Sequence, residues 1–151
     1  MGTIMEFATE KQIESFLSIC HIEGQNNFLM AFKKKTWLKS FIDFFIIGGS
    51  YYVQSSVNPK ILAFTPKGIY LMDISDVTEN RSNQVVEMPW NQVQDFTYQT
   101  VLNTVRLNWN YQNEAYIFSV DIGQISQHVG QYQFNKEHYD YLAQQDFFRS
   151  Q

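Results

Sequence analysis

Cysteine is nearly absent from this chain. Cys20 stands alone among 151 residues, so no internal disulfide can form, and a reducing, cytoplasmic setting is the simpler expectation. Basic character is also lacking. Eleven Lys and Arg face 15 Asp and Glu, giving a formal net charge of −4. Phosphate binding leans on a basic field, so nucleic acid is not expected as a partner. No long apolar run occurs either. The longest, residues 41–47, is interrupted by Asp43 and falls far short of a membrane span. The first residues show no basic region followed by an apolar one, so no signal peptide is expected. Glu6 stands where a myristoylation motif wants Ser or Thr. Motifs of catalysis are missing as well: no GxSxG, no phosphate-cradling loop and no HExxH. The expectation is a protein that is not an enzyme and uses no cofactor or metal.

What is present is side-chain volume and regular patterning. Hydrophobic residues make up 44% and aromatics 17%, enough for a sizeable core. No linker, repeat or low-complexity tract divides residues 1–151, so a single domain is expected. Thr9 and Gln12 match a capping box, and Ile13, Phe16, Leu17 and Cys20 follow at helical spacing. This predicts a helix over residues 10–21, with Gly24 as a stop. Residues 27–32 read as a first strand. Residues 33–50 hold four lysines, Trp37 and an apolar run closed by Gly48 and Gly49, read as a helical connection over 36–47.

Beyond residue 50 the strands become clear. Residues 51–55 suit an edge strand. Residues 60–64 and 69–74 flank a Thr65–Pro66–Lys67–Gly68 turn, with Pro second and Gly fourth. Residues 75–83 read as polar loop, and 84–88 as a strand ended by Pro89. In residues 94–102, Phe96, Tyr98, Thr100 and Leu102 share one face. Val105, Leu107, Trp109 and Tyr111 alternate with polar neighbours, and Tyr116, Phe118, Val120 and Ile122 repeat the pattern after a turn at Gln112 and Asn113. Residues 123–133 read as loop. Asn135 suits an N-cap, with Phe134 and Tyr139 as a hydrophobic staple. Tyr139, Leu142, Ala143 and Phe147 then form the buried stripe of a C-terminal helix over about 136–148.

About seven short antiparallel strands followed by one helix resembles the pleckstrin-homology (PH) superfold. Three segments resemble bacterial PH-like domains: ILAFTPKGIYLMDI (61–74), VVEMPWNQVQDF (85–96), and the apolar connection ending at Gly48–Gly49. The resemblance covers roughly residues 28–148 and leaves the N-terminal helix outside. It implies an α+β, PH-like barrel or sandwich, either two packed sheets or a partly open barrel, with the C-terminal helix over one open end. Eukaryotic PH domains often bind phosphoinositides or protein segments, and some bacterial ones are thought to self-assemble. Fold alone does not carry function across.

Lys33, Lys34, Lys35 and Lys39, with Trp37, form the first candidate site. They lie where lipid-binding PH domains place cations for phosphate, and an interfacial Trp could sit at a membrane surface. The competing reading is a strand end whose lysines blunt an exposed edge. Residues 41–47 read as core, against a membrane wedge or self-association surface. Cys20 reads as a small buried hydrophobe rather than a nucleophile. Asp73, Asp76 and Glu79 read as a solvated loop, since they lack calcium-loop spacing. His21, His128 and His138 are scattered. The leading expectation is a non-enzymatic interaction or scaffolding domain that binds a protein or itself, with the edge at residues 51–57 the first place for an added strand. The alternatives are peripheral binding to anionic lipid through residues 33–47, and a small-molecule binder or enzyme built on an aromatic pocket with His128 or His138 beside a carboxylate.

Overall fold

The computed structural model describes residues 8–34, 59–123 and 134–149. Helix α1 (Glu10–Ile19) begins where the capping box places it. Gln12 N–H donates to Thr9 Oγ1 at 3.1 Å, and Gln12 Oε1 accepts from Thr9 N–H at 2.9 Å. The chain turns away at His21, which has φ 60°, so the stop comes three residues before Gly24.

Seven strands follow: β1 (Phe28–Lys34), β2 (Pro59–Thr65), β3 (Gly68–Asp73), β4 (Val86–Pro89), β5 (Val93–Val101), β6 (Thr104–Tyr111) and β7 (Glu114–Asp121). They form one antiparallel sheet in the order β4-β3-β2-β1-β7-β6-β5. Helix α2 (Ile74–Thr78) joins β3 towards β4, and helix α3 (Phe134–Gln144) stops short of the expected 148: a 3-10 turn follows at Asp146–Phe148, where Phe147 has φ 56°. The class is α+β, with seven antiparallel strands among the described residues, between an N-terminal and a C-terminal helix.

Sequence patterning explains which faces are covered. The run Ile61-Leu62-Ala63-Phe64 has no polar alternation because β2 is buried on both faces. Leu62 and Phe64 join Leu29, Leu107, Trp109, Phe118 and Phe147 in one core. Ile61 and Ala63 face the other way, against Phe28, Met30 and Met72, and α1 covers them with Ile13, Phe16 and Leu17. Each of those three helix side chains contributes about 1.5–3 kcal/mol of burial. β6 alternates as its sequence does, with Val105, Leu107 and Trp109 inward. Gly68 is required by close approach: a Cβ there would stand 2.3 Å from the Met88 carbonyl oxygen.

Several expectations are corrected. Residues 75–83 are not a loop throughout. Asp76 folds back to accept from the Asp73 N–H at 3.2 Å and from Arg81 Nε at 3.1 Å, which stabilises α2, and a 3-10 turn follows at Ser82–Gln84. Leu102 does not join the face of Phe96. It occupies the two-residue turn between β5 and β6 at φ 56° and is 92% exposed. Asn135 does not cap α3; it lies inside the helix, fully buried. β1 runs on to Lys34, so Lys33 and Lys34 are strand residues rather than part of the connection. The expected helix at 36–47, the edge strand at 51–55 and the loop at 124–133 fall outside the described residues.

Candidate functional site

Among the proposed contact residues only Lys33 has a described side chain. Its Nζ lies 3.6 Å from Glu114 Oε2 and 5.0 Å from the centre of the Tyr116 ring. Lys34 pairs with Ile117 in the β1–β7 ladder. Lys35, Trp37 and Lys39 lie outside the described residues, as do residues 41–47, the edge at 51–57 and His128. The structure therefore brings Lys33 to a carboxylate and an aromatic face on β7, the arrangement of a held strand end.

A polar groove of about 500 Å³ opens beside α2. Its cations are already matched. Lys60 pairs with Asp73, while Arg81 reaches Asp76 at 3.1 Å, Glu79 at 2.7 Å and the Ser75 hydroxyl at 3.0 Å. Asp76 is buried, so this cluster balances its own charge rather than presenting a bare cation to phosphate. Of Asp73, Asp76 and Glu79, expected in solvent, only Asp76 is buried; Asp73 and Glu79 stay about half exposed beside Lys60 and Arg81.

Of the nucleophile and acid–base candidates, Cys20 and His138 have described surroundings. Cys20 is half-buried, and desolvation pushes its thiol above the usual value. Among the described histidines, His138 meets a carboxylate, with Nε2 3.1 Å from Glu10 Oε2. It lies in the core rather than in a pocket, with Nδ1 2.7 Å from the Phe28 carbonyl oxygen and its ring edge-on to Phe28. Among the described residues, no group of three or more His, Cys, Asp or Glu stands together to hold a metal. No described helix is long and apolar enough to cross a membrane.

The feature that sequence reasoning missed is the outer edge of β5. This nine-residue strand pairs with β6 alone among the described residues. Edges are usually blunted by Lys, Pro or brevity. β4, at the other end of the sheet, is four residues long and ends in Pro89. β5 carries neither Lys nor Pro. Its first half is occupied: a register shift falls between Gln94 and Thr97, and Arg149 Nη1 donates to the Phe96 carbonyl at 2.8 Å. Its second half, Thr97 to Val101, has no such cover among the described residues. Val101 and Thr104 flank the two-residue turn, so antiparallel alternation turns the main-chain groups of Tyr98 and Thr100 outward. Val101 and Leu102 extend the edge with exposed apolar surface, 57% and 92% exposed. The unguarded Thr-Tyr-Gln-Thr-Val run before a turn was the available signal.

Comparisons with family models, with curated proteins and with solved structures each find no match.

Proposed function

We propose that this chain is a non-enzymatic interaction domain of PH-like architecture that takes an added strand on the outer edge of β5, from a protein partner or from a second copy. The carrying observation is the unguarded half-strand from Thr97 to Val101, with two outward main-chain residues and an apolar end. Strand addition draws affinity from just such main-chain groups and specificity from neighbouring side chains. The PH-like part of the reading is supported by the strand order and by the single helix α3 that follows the sheet.

The test uses Thr100→Pro. An outward N–H on an edge strand is the one place where Pro removes no ladder bond. Losing the exposed Thr100 Oγ1–Tyr139 hydroxyl bond at 3.0 Å should cost no more than about 1 kcal/mol, while strand addition is blocked. Wild-type protein should show a mass above monomer by light scattering, or retain a protein partner whose capture Thr100→Pro abolishes. A monomer at every concentration, with capture unchanged by Thr100→Pro, removes this reading.

A further inference from the structure

The open half of β5 is its own antiparallel complement. Tyr98 and Thr100 turn their main-chain groups away from β6. Thr100 lies on the core side of the sheet, opposite the buried Val105, and is nevertheless exposed, so solvent reaches the edge even there. Thr97, Gln99 and Val101, on the other side, are exposed as well.

One antiparallel register satisfies both outward residues when the strand meets a second copy of itself. With Gln99 on a two-fold axis, Tyr98 of each copy faces Thr100 of the other, and each donates and accepts across the pair. Moving the axis to Tyr98 sets Thr100 opposite Phe96, whose carbonyl already accepts from Arg149 at 2.8 Å. Moving it to Thr100 sets Tyr98 opposite Leu102, which lies in the turn at φ 56°. The side chains suit the same axis. Residues 97–102 carry no charge, so no like charges meet, and a charged foreign segment would find no opposite charge along them. A Gln amide both donates and accepts, so two Gln99 side chains can pair with each other.

Leu102 supplies an independent observation. It holds the left-handed conformation that two-residue turns usually give to Gly or Asn, and it is 92% exposed. Neither its backbone nor its exposure serves a lone chain, and strain of this kind marks functional positions. The two-fold carries Val101 and Leu102 of each copy to Thr97 and Phe96 of the other. There Arg149 lies over the Phe96 and Tyr98 rings, 5.3 and 5.8 Å from their centres.

We infer that the occupant of the β5 edge is a second copy of this chain, paired antiparallel with Gln99 on the two-fold axis and Leu102 as the anchor at each end. This rests on the strand-addition reading above and names its partner. The paired stretch is short, so a weak dimer is expected, with Kd on the order of 0.1 mM.

The test is cysteine cross-linking of the full chain in a Cys20→Ala background, with sedimentation from about 10 μM to 1 mM. Gln99→Cys should oxidise to a covalent dimer, since the two Cα atoms would stand about 4.5 Å apart. Thr97→Cys or Val101→Cys alone should do so at least tenfold more slowly, because like positions would lie about 13 Å apart, whereas the two variants mixed should cross-link. Leu102→Gly should raise Kd about tenfold while the unfolding midpoint holds or rises, since Gly accepts the positive φ. Equal cross-linking at all three positions, or a Kd unchanged in Leu102→Gly, overturns the inference. So does a monomer throughout the concentration range. Strand addition then still stands if Thr100→Pro abolishes capture of another protein, and falls too if capture is unchanged.

Discussion

The side-chain amide of Asn135 closes both main-chain hydrogen bonds of Met30, a residue 105 positions earlier. Met30 N–H donates to Oδ1 at 2.9 Å, and Nδ2 donates to the Met30 carbonyl at 3.0 Å and to the Asp121 carbonyl at 3.2 Å. The reason lies in the ladder. Among the described residues β1 pairs with β7 from Phe32 to Lys34, and the register continued backwards would set Met30 opposite Asp121. The strands have parted there, and Asn135 supplies the bonds that a neighbouring strand would have made.

Asn135→Ala should therefore destabilise the fold by about 2–4 kcal/mol, since two buried main-chain groups and one part-buried group lose their partner together. Asn135→Asp should cost at least as much at neutral pH. It keeps the acceptor for Met30 N–H but turns a carboxylate oxygen towards two carbonyls. Urea unfolding of the three proteins measures this. A change below about 1 kcal/mol for Asn135→Ala would mean that the seam is solvated.

One turn further along α3, His138 continues the same service. It meets the Phe28 carbonyl with Nδ1 and Glu10 of α1 with Nε2, so one imidazole joins α3, β1 and α1. Because the ring is buried, His138→Ala should cost about 3 kcal/mol. Glu10 is half exposed, so Glu10→Ala should cost less than about 1 kcal/mol alone. In the His138→Ala background it should cost close to nothing. A double-mutant cycle reads the difference, and full additivity would show that the pair is not coupled.

Asn135 also marks where sequence legibility ended. The hairpins around residues 65–68 and 112–113 were readable because apolar alternation and turn residues are local signals. Gln112 and Asn113 take the positive φ such a turn demands, 52° and 64°. The capping box of α1 was readable for the same reason. Asn135 looked like a cap because capping is the common local use of Asn, whereas its partner is a strand edge far away in sequence. Asp76 hid α2 in the same manner: a polar run reads as loop until one carboxylate is seen to gather Asp73 and Arg81. Lys33 was legible as a strand-end lysine, though Glu114 and Tyr116 reach it only through the β1–β7 pairing.

Tyr70 offers a test by pH. Burial, then a 2.9 Å hydrogen bond to Glu87 and that carboxylate's charge, push its phenol from 10 up to about 12. The folded state holds the proton more tightly than the unfolded one. Its contribution is complete below about pH 10 and is lost as pH rises towards about 12. Difference titration of phenolate absorbance between wild type and Tyr70→Phe should place this group above an ordinary tyrosine. Glu87→Gln should bring it down without restoring the usual value, because the larger cause is burial. A Tyr70 signal near 10 in the folded wild type would contradict the packing of β3 against β4.

Lys33 decides how a membrane reading should be tested. Its ammonium is shared between Glu114 and the Tyr116 ring, and its side chain is 41% exposed. An exposed pair of this kind contributes between nothing and about 1 kcal/mol, so Lys33→Gln should leave stability within that range. The same contacts lower its value as a phosphate ligand, because binding lipid would mean leaving them. With a net charge of −4, the whole chain should stay in the supernatant when sedimented with phosphatidylserine vesicles at low salt. Retention that is lost on raising salt, and lost again in a Lys33, Lys34 and Lys35 to Gln triple variant, would instead establish the lysine run as a lipid contact. Retention unaffected by that variant would move attention to the apolar residues 41–47.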